Sequence, residues 1–100
     1  MKPWSSVSYN PSTLHLPISN SHQIDHELEF GVFITKGGSN IPKGKALDHV
    51  GGYFLALDFT DRDFQKVAKE KGFPWTLAKG QDKFCPISEF IPKDINPYEV

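Results

Sequence analysis

Three acidic side chains have the types and the spacing that suit a site for a hard divalent cation. Glu27 and Glu29 are two residues apart, so in a strand both carboxylates point to one side, about 7 Å apart at Cα. Asp58 interrupts an apolar run, where an unpaired buried charge is very costly. A cation would compensate both, and ligands that are all oxygen select Mg²⁺, Mn²⁺ or Ca²⁺ over zinc.

The residues alone leave a second interpretation open. An isolated Glu-x-Glu pair is more often the solvated face of an edge strand, and only Asp58 argues against that here. An aspartate at the end of a strand too apolar to face solvent needs a partner. Taken together, these three residues favour a metal site and a solvated face about equally.

Other polar residues carry weaker signals. Arg62 and Gln65 lie three apart in a predicted helix and share one face, where they could bind a substrate carboxylate; an exposed helix surface is the alternative. Lys79 follows an apolar stretch and by itself is typical of a surface lysine. We expect Asp25 to be solvated and His26 to pack on the face opposite the glutamates.

Two strands are predicted to position the carboxylates. Alternation from Ile24 to Thr35 predicts a half-buried strand. Its apolar face comprises Ile24, Leu28, Phe30, Val32 and Ile34, and its polar face Asp25, Glu27, Glu29 and Gly31. Gly51-Gly52 precedes a second strand over Tyr53 to Phe59, which is apolar enough to be covered on both faces.

Helices are predicted at two places. Pro42 suits the first position of a short helix through about Asp48. Thr60 with Asp63 three residues later predicts a capping box for a helix that ends at Gly72. The segment from 73 to 95 is rich in turns, with at most a short strand around 87 to 91.

Composition limits the class of protein. With 100 residues, 38% of them hydrophobic and 23% charged, the chain is expected to form one folded domain. The net charge of −1 and the scattered basic residues argue against nucleic acid or membrane partners. The single cysteine, Cys85, cannot form an internal disulfide and is expected to be structural. These features favour a soluble protein in a reducing compartment.

Five motifs in order resemble the fumarylacetoacetate hydrolase family, particularly its acylpyruvate hydrolase and oxaloacetate decarboxylase branch. The motifs are Lys2-Pro3 with the serines after it, His26-Glu27-Leu28-Glu29-Phe30-Gly31, Asp48-His49-Val50-Gly51-Gly52-Tyr53, Leu57-Asp58-Phe59-Thr60 with Arg62-Asp63, and Lys71-Gly72-Phe73-Pro74-Trp75-Thr76-Leu77-Ala78-Lys79. The resemblance implies an α+β fold, mainly β, with two short helices, resembling part of the family's β-rich C-terminal domain.

The resemblance also implies roles for individual residues. These are metal ligation of Mg²⁺ or Mn²⁺ by Glu27, Glu29 and Asp58, a catalytic and substrate-binding role for Lys79, and substrate binding by Arg62 and Gln65. Family members hydrolyse or decarboxylate 2-oxo acids that carry a second carbonyl. Such an acid can chelate the metal through two oxygens, and the cation and Lys79 would stabilise the developing enolate charge.

The resemblance further implies a homodimer acting on a small 2-oxo acid, in the cytoplasm or in mitochondria. The family's catalytic His and Glu precede the Lys-Pro motif, and a Gly-Thr-Pro motif lies downstream, so residues 1–100 are expected to be a partial catalytic domain. Two other functions stay open. One is a truncated binding or interaction protein without catalysis, and the other is a metal-dependent isomerase or tautomerase, whose chemistry needs no attacking water.

Overall fold

The computed structural model describes residues 1–17 and 21–99, and these residues form an α+β fold that is mainly β, as predicted. The described strands are β1 (Val7–Tyr9), β2 (Ile24–Ile34), β3 (Val50–Asp61), β4 (Cys85–Ile87) and β5 (Ile91–Pro92). The α-helices are α1 (Arg62–Lys71) and α2 (Thr76–Lys79), and 3₁₀ helices span Trp4–Ser6, Lys43–His49 and Pro97–Glu99.

Strand β3 is the centre of the sheet. Within the described residues the strand order is β1-β4-β3-β2, and β5 also pairs with β3. The long antiparallel pair of β2 and β3 runs from Ile24 opposite Asp61 to Ile34 opposite Val50, with an irregularity at Phe33/Ile34. Strands β4 and β5 are also antiparallel to β3, whereas β1 and β4 are parallel. This register places β2, which carries Glu27 and Glu29, beside β3, which carries Asp58.

Strand β2 forms where predicted, but the prediction that it is half-buried is wrong for the described residues. On its apolar face Leu28 is 70% exposed, Val32 46% and Ile34 59%. Period-two alternation identifies which face of a strand is apolar and carries no information about what covers that face. The described residues therefore leave these three side chains largely open to solvent.

Strand β3 is longer than predicted and is covered unevenly. Tyr53 and Ala56, which point to opposite faces, are buried, in agreement with the predicted cover on both sides. Leu55, on the same face as Tyr53, is 41% exposed. The cover on that face is therefore incomplete.

Helix α1 begins directly after β3, and its cap differs from the prediction. The carboxylate of Asp61 accepts hydrogen bonds from the backbone N–H groups of Asp63 at 3.0 Å and Phe64 at 3.1 Å. The predicted capping residue, Thr60, lies inside β3. Serine, threonine and aspartate all cap helices, so residue type alone did not separate two neighbouring candidates. The helix ends as predicted at Gly72, whose φ of 70° is left-handed.

The remaining segments depart from the predictions in three places. The short helix after Pro42 is a 3₁₀ helix over Lys43–His49. The strand expected around 87 to 91 is two strands, β4 and β5. The four-residue helix α2 was not predicted, because one turn is too short for a helical period to be recognised. Among the described helices, none has both the length and the apolar character needed to cross a membrane.

A small core anchors α2 to the sheet. Ala78 in α2 is 1% exposed, and Phe84 just before β4 is fully buried. The Phe84 ring lies 6.2 Å from that of Phe59, measured between centroids. Because Ala78 is packed inward, the next residue, Lys79, starts from a fixed position beside β3.

Candidate metal centre

The register of β2 and β3 brings the three predicted ligands together. Glu27 lies directly opposite Asp58, and Glu29 lies opposite Ala56. Side chains of directly opposed residues leave the same face of a sheet about 5 Å apart, so Asp58 faces both glutamates. One carboxylate oxygen from each of the three residues lies within 4.8 Å of the others. This is a spacing from which one cation could be held.

Lys79 reaches these carboxylates from α2. Its Nζ lies 3.1 Å from Oδ2 of Asp58 and 3.2 Å from Oε2 of Glu27, and it donates a hydrogen bond to Oγ1 of Thr60 at 2.6 Å. The lysine side chain is only 14% exposed. The surface position suggested by residue type alone is therefore wrong, and the resemblance located Lys79 better than its local sequence did.

A second lysine, for which sequence analysis assigned no role, approaches from the start of the chain. Nζ of Lys2 lies 2.6 Å from Oδ1 of Asp58 and donates hydrogen bonds to the backbone carbonyls of Phe84, at 3.0 Å, and of Phe59. Its side chain is 13% exposed. The Lys2-Pro3 motif was the available signal, because nothing in the composition around Lys2 distinguishes it.

The charge state of Asp58 follows from these contacts. Burial works to raise the pKa of Asp58, but the ammonium groups of Lys2 and Lys79 outweigh it and hold that pKa below its ordinary value. The carboxylate is thus ionised at neutral pH and carries the charge that would attract a cation.

The donor atoms of the three carboxylates fit the proposed metal. Oδ1 of Asp58 is buried, and its partner among the described residues is the ammonium group of Lys2 at 2.6 Å. The ligand atoms offered by Asp58, Glu27 and Glu29 are all hard carboxylate oxygens, which suits Mg²⁺ or Mn²⁺.

Arg62 and Gln65 contact each other, as their spacing predicted. Arg62 donates to Oε1 of Gln65 and, through Nε, to Oδ2 of Asp25, both at 2.7 Å. The side chain of Asp25 is 39% exposed, in agreement with the expected contact with solvent, and it is also paired with Arg62. The hydrogen bond from Arg62 is the main cause that lowers the pKa of Asp25. Gln65 is 6% exposed, which limits its access to a ligand.

A cavity of about 560 Å³ opens beside Asp58, Lys79 and Lys2. It is lined by Met1, Lys2, Pro3, Asp58, Trp75, Thr76 and Lys79. Its volume is within the range of small-molecule sites. Arg62 and Gln65 are not among the described residues that line this cavity.

A second group of titratable residues lies at the start of α1. Nδ1 of His22 is 2.6 Å from Oδ2 of Asp61, and Oδ2 of Asp63 accepts a hydrogen bond from the backbone of Gln23. The hydrogen bond to Asp61 is the main cause that raises the pKa of His22. Each of the three side chains has a structural partner, so the group joins the segment before β2 to the helix cap.

The sequence matches a family model and is similar to named relatives. The family model described as the fumarylacetoacetate hydrolase C-terminal domain matches residues 1–99. The mitochondrial oxaloacetate decarboxylase of Dictyostelium discoideum is 50% identical over 95 residues, 94% of this chain and 43% of the relative. The mitochondrial oxaloacetate tautomerase FAHD1 of Arabidopsis thaliana is 44% identical over 96 residues, 93% of this chain and 41% of the relative. The chain thus spans less than half the length of either relative.

Solved structures have the same fold. A fumarylpyruvate hydrolase from Pseudomonas aeruginosa, in complex with Mn²⁺ and pyruvate, superposes with a TM-score of 0.79 at 38% identity, covering 91% of this chain and 40% of that one. The yeast protein ynq8, of the fumarylacetoacetate hydrolase family, gives a TM-score of 0.76 at 33% identity, covering 93% of this chain and 46% of that one.

Proposed function

The chain belongs to the fumarylacetoacetate hydrolase family, and we propose that it carries the metal-binding part of an enzyme that cleaves small 2-oxo acids. The observation that carries this proposal is the convergence of Glu27, Glu29 and Asp58 around Lys79. Three hard ligands leave coordination positions open, and the adjacent lysine supplies a positive charge in a partly buried cavity.

The proposed roles follow from the chemistry of each group. Glu27, Glu29 and Asp58 would hold Mg²⁺ or Mn²⁺, which when bound would accept the oxygens of a 2-oxo-carboxylate and stabilise negative charge. Lys79 would contact the substrate beside these ligands and balance the charge that develops on its oxygen. A hydrogen bond from an ammonium group to a charged oxygen is about twice as strong as a neutral one.

Arg62 and Gln65 are proposed to contribute to substrate binding. Their mutual hydrogen bond pre-orients the guanidinium, which can pair with a carboxylate in two-pronged geometry. In the structure that guanidinium donates a hydrogen bond to the carboxylate of Asp25. A substrate carboxylate would therefore have to compete with Asp25 for Arg62, and we expect this pair to affect KM more than kcat.

The reaction we propose is hydrolytic or decarboxylative cleavage, with oxaloacetate as the substrate tested first because a relative is named for its decarboxylation. Decarboxylation converts oxaloacetate and a proton into pyruvate and CO₂. The second candidate is tautomerisation, favoured by the name of another relative, in which a proton moves between C3 and the C2 oxygen and no carbon bond breaks. The same charge stabilisation serves both reactions.

The remaining parts of the proposal concern the whole protein. We expect it to act as a homodimer, with no nucleic acid or membrane partner. The relatives compared above are named as mitochondrial, and we propose the same compartment over a cytoplasmic one.

One experiment tests the function and separates the two reactions. The protein is incubated with oxaloacetate and either Mn²⁺ or Mg²⁺, and pyruvate is measured together with the ultraviolet absorbance of the enol. If the protein cleaves oxaloacetate, pyruvate should form in a metal-dependent reaction. If it only tautomerises oxaloacetate, the enol absorbance should decay faster and no pyruvate should form. Asp58→Asn should remove either activity, whereas Asp82→Asn, at an exposed carboxylate outside the site, should not. Mn²⁺ binding without turnover on oxaloacetate or acylpyruvates would favour the non-catalytic alternative.

A further inference from the structure

Thr60 makes the shortest contact of the Lys79 ammonium. Its Oγ1 accepts a hydrogen bond from Nζ at 2.6 Å, against 3.1 and 3.2 Å to the two carboxylates. Thr60 is fully buried in β3 and lies two residues beyond Asp58, so both side chains leave the same face of the sheet. Asp61 makes the helix-cap hydrogen bonds that were predicted for this hydroxyl, and the roles proposed above do not use it.

The partners of Lys79 differ in what a bound divalent cation would do to them. A divalent ion bound among the three carboxylates would offset two of their three negative charges and would itself repel the ammonium, so it would weaken the attraction of Glu27 and Asp58 for Nζ. Thr60 is neutral, and its hydroxyl oxygen keeps accepting whether or not a cation is present. This contact is therefore the one of the three that metal binding does not oppose.

Thr60 is also suited to hold a flexible partner. A lysine side chain loses rotamer entropy when it is held in one place, so a fixed position needs a fixed partner. Threonine is branched at Cβ and has a stiff χ1, and full burial removes water as a competing partner. A rigid acceptor facing a mobile donor defines where the donor stays.

We propose that Thr60 is a positioning residue that keeps the Lys79 ammonium beside the three carboxylates when a divalent cation is bound to them. The inference rests on the proposed function, because it assumes that the carboxylates hold a metal. In this proposal the hydroxyl of Thr60 holds the Lys79 ammonium in the position from which it would contact the substrate.

Two variants of Thr60 form a matched pair for the test. Thr60→Val keeps the shape of the side chain and removes the hydroxyl, whereas Thr60→Ser keeps the hydroxyl. With oxaloacetate and Mn²⁺ we expect Thr60→Val to lower kcat about 10- to 100-fold, the usual effect of one hydrogen bond to a charged group, with KM changed less than about threefold. Thr60→Ser should recover most of the loss. In a Lys79→Ala background, Thr60→Val should have little further effect.

A spectroscopic readout tests placement independently of turnover. In ¹⁵N-labelled protein saturated with Mg²⁺, we expect a protected Lys79 ammonium signal, assigned by its loss in Lys79→Ala. It should persist in Thr60→Ser and vanish in Thr60→Val. A wild-type protein with Mg²⁺ bound and no such signal overturns the inference, and this result needs no variant to fold.

The outcomes separate the inference from the proposed function. If the wild type binds neither Mn²⁺ nor Mg²⁺, the proposed function fails and the inference fails with it. If the wild type binds metal and turns over, but Thr60→Val matches it in kcat and in the ammonium signal, only the inference is overturned.

Discussion

Nζ of Lys79 lies 3.1 Å from Oδ2 of Asp58, so an ammonium group already pairs with a carboxylate that we assign to a divalent cation. The same Nζ lies 3.2 Å from Glu27. Like charges repel, so Lys79 should weaken metal binding even though it would assist the reaction. Removal of Lys79 should therefore have opposite effects on metal affinity and on turnover, which would not be expected of a lysine with a purely structural role.

For Lys79→Ala we predict that turnover falls by at least about 100-fold, the scale for loss of a group that stabilises transition-state charge. Metal affinity should stay the same or rise, because a competing positive charge has gone. Steady-state kinetics and Mn²⁺ titration calorimetry measure the two quantities. Lys66→Ala, at an exposed lysine of α1, is the control. Unchanged turnover in Lys79→Ala would remove the catalytic role.

Gly31 of β2 is predicted to be intolerant of a side chain. A Cβ at this position would overlap the ring of Phe54 on the opposing strand. That ring in turn lies 6.5 Å from the ring of Phe90 between centroids, which limits its freedom to move. We expect Gly31→Ala to lower the free energy of unfolding by about 1–3 kcal/mol, the usual cost of overpacking.

Gly37 provides the matched control for this substitution. A Cβ at Gly37 would meet nothing within 4 Å, so Gly37→Ala should change the free energy of unfolding by less than about 0.5 kcal/mol. Urea denaturation of both variants measures the difference. Equal stability of Gly31→Ala and wild type would contradict the close packing of Phe54 on the strand.

The contact between His22 and Asp61 should make the stability of the fold depend on pH. Its contact with Asp61 raises the pKa of His22 above 6.5, the ordinary value, so the folded state binds the proton more tightly than the unfolded chain. This contribution to stability is complete below about pH 6.5 and is lost as the pH rises through the raised pKa. In urea denaturation without metal, the destabilisation by His22→Gln should be largest at pH 5.5 and shrink towards pH 8.5.

The exposed His15 serves as the control for His22. His15→Gln should show no comparable change in stability across the same pH range. If the effect of His22→Gln grew with rising pH, the sign of the proposed linkage would be wrong. A constant effect would mean that the His22–Asp61 contact does not depend on the charge of the histidine.

The strands that carry the carboxylates were accessible from sequence, since alternation identifies a strand and the residues that share a face. Those rules placed Glu27 and Glu29 together. They did not determine that Asp58 lies opposite Glu27, because register depends on the pairing of two distant segments. Without the family resemblance, the metal site would have stayed one of two equal interpretations.

Other features depend on tertiary contacts that no local pattern encodes. Thr60 has the residue type of a helix cap, but the strand continues through it and Asp61 takes that position. Lys79 lies in a single helical turn too short for a periodic signal, and its partners are 19 to 52 residues away. The exposure of Leu28 likewise depends on what packs over β2, which the strand's own alternation does not encode.

Mn²⁺ titration calorimetry on Asp58→Asn tests most directly whether Glu27, Glu29 and Asp58 form a metal site. The amide keeps the size of the side chain and removes its charge. We predict that affinity falls at least about 100-fold, or about 2.7 kcal/mol, with circular dichroism unchanged and Asp82→Asn binding like the wild type. If Asp58→Asn bound Mn²⁺ as tightly as the wild type, the metal-site assignment would be contradicted.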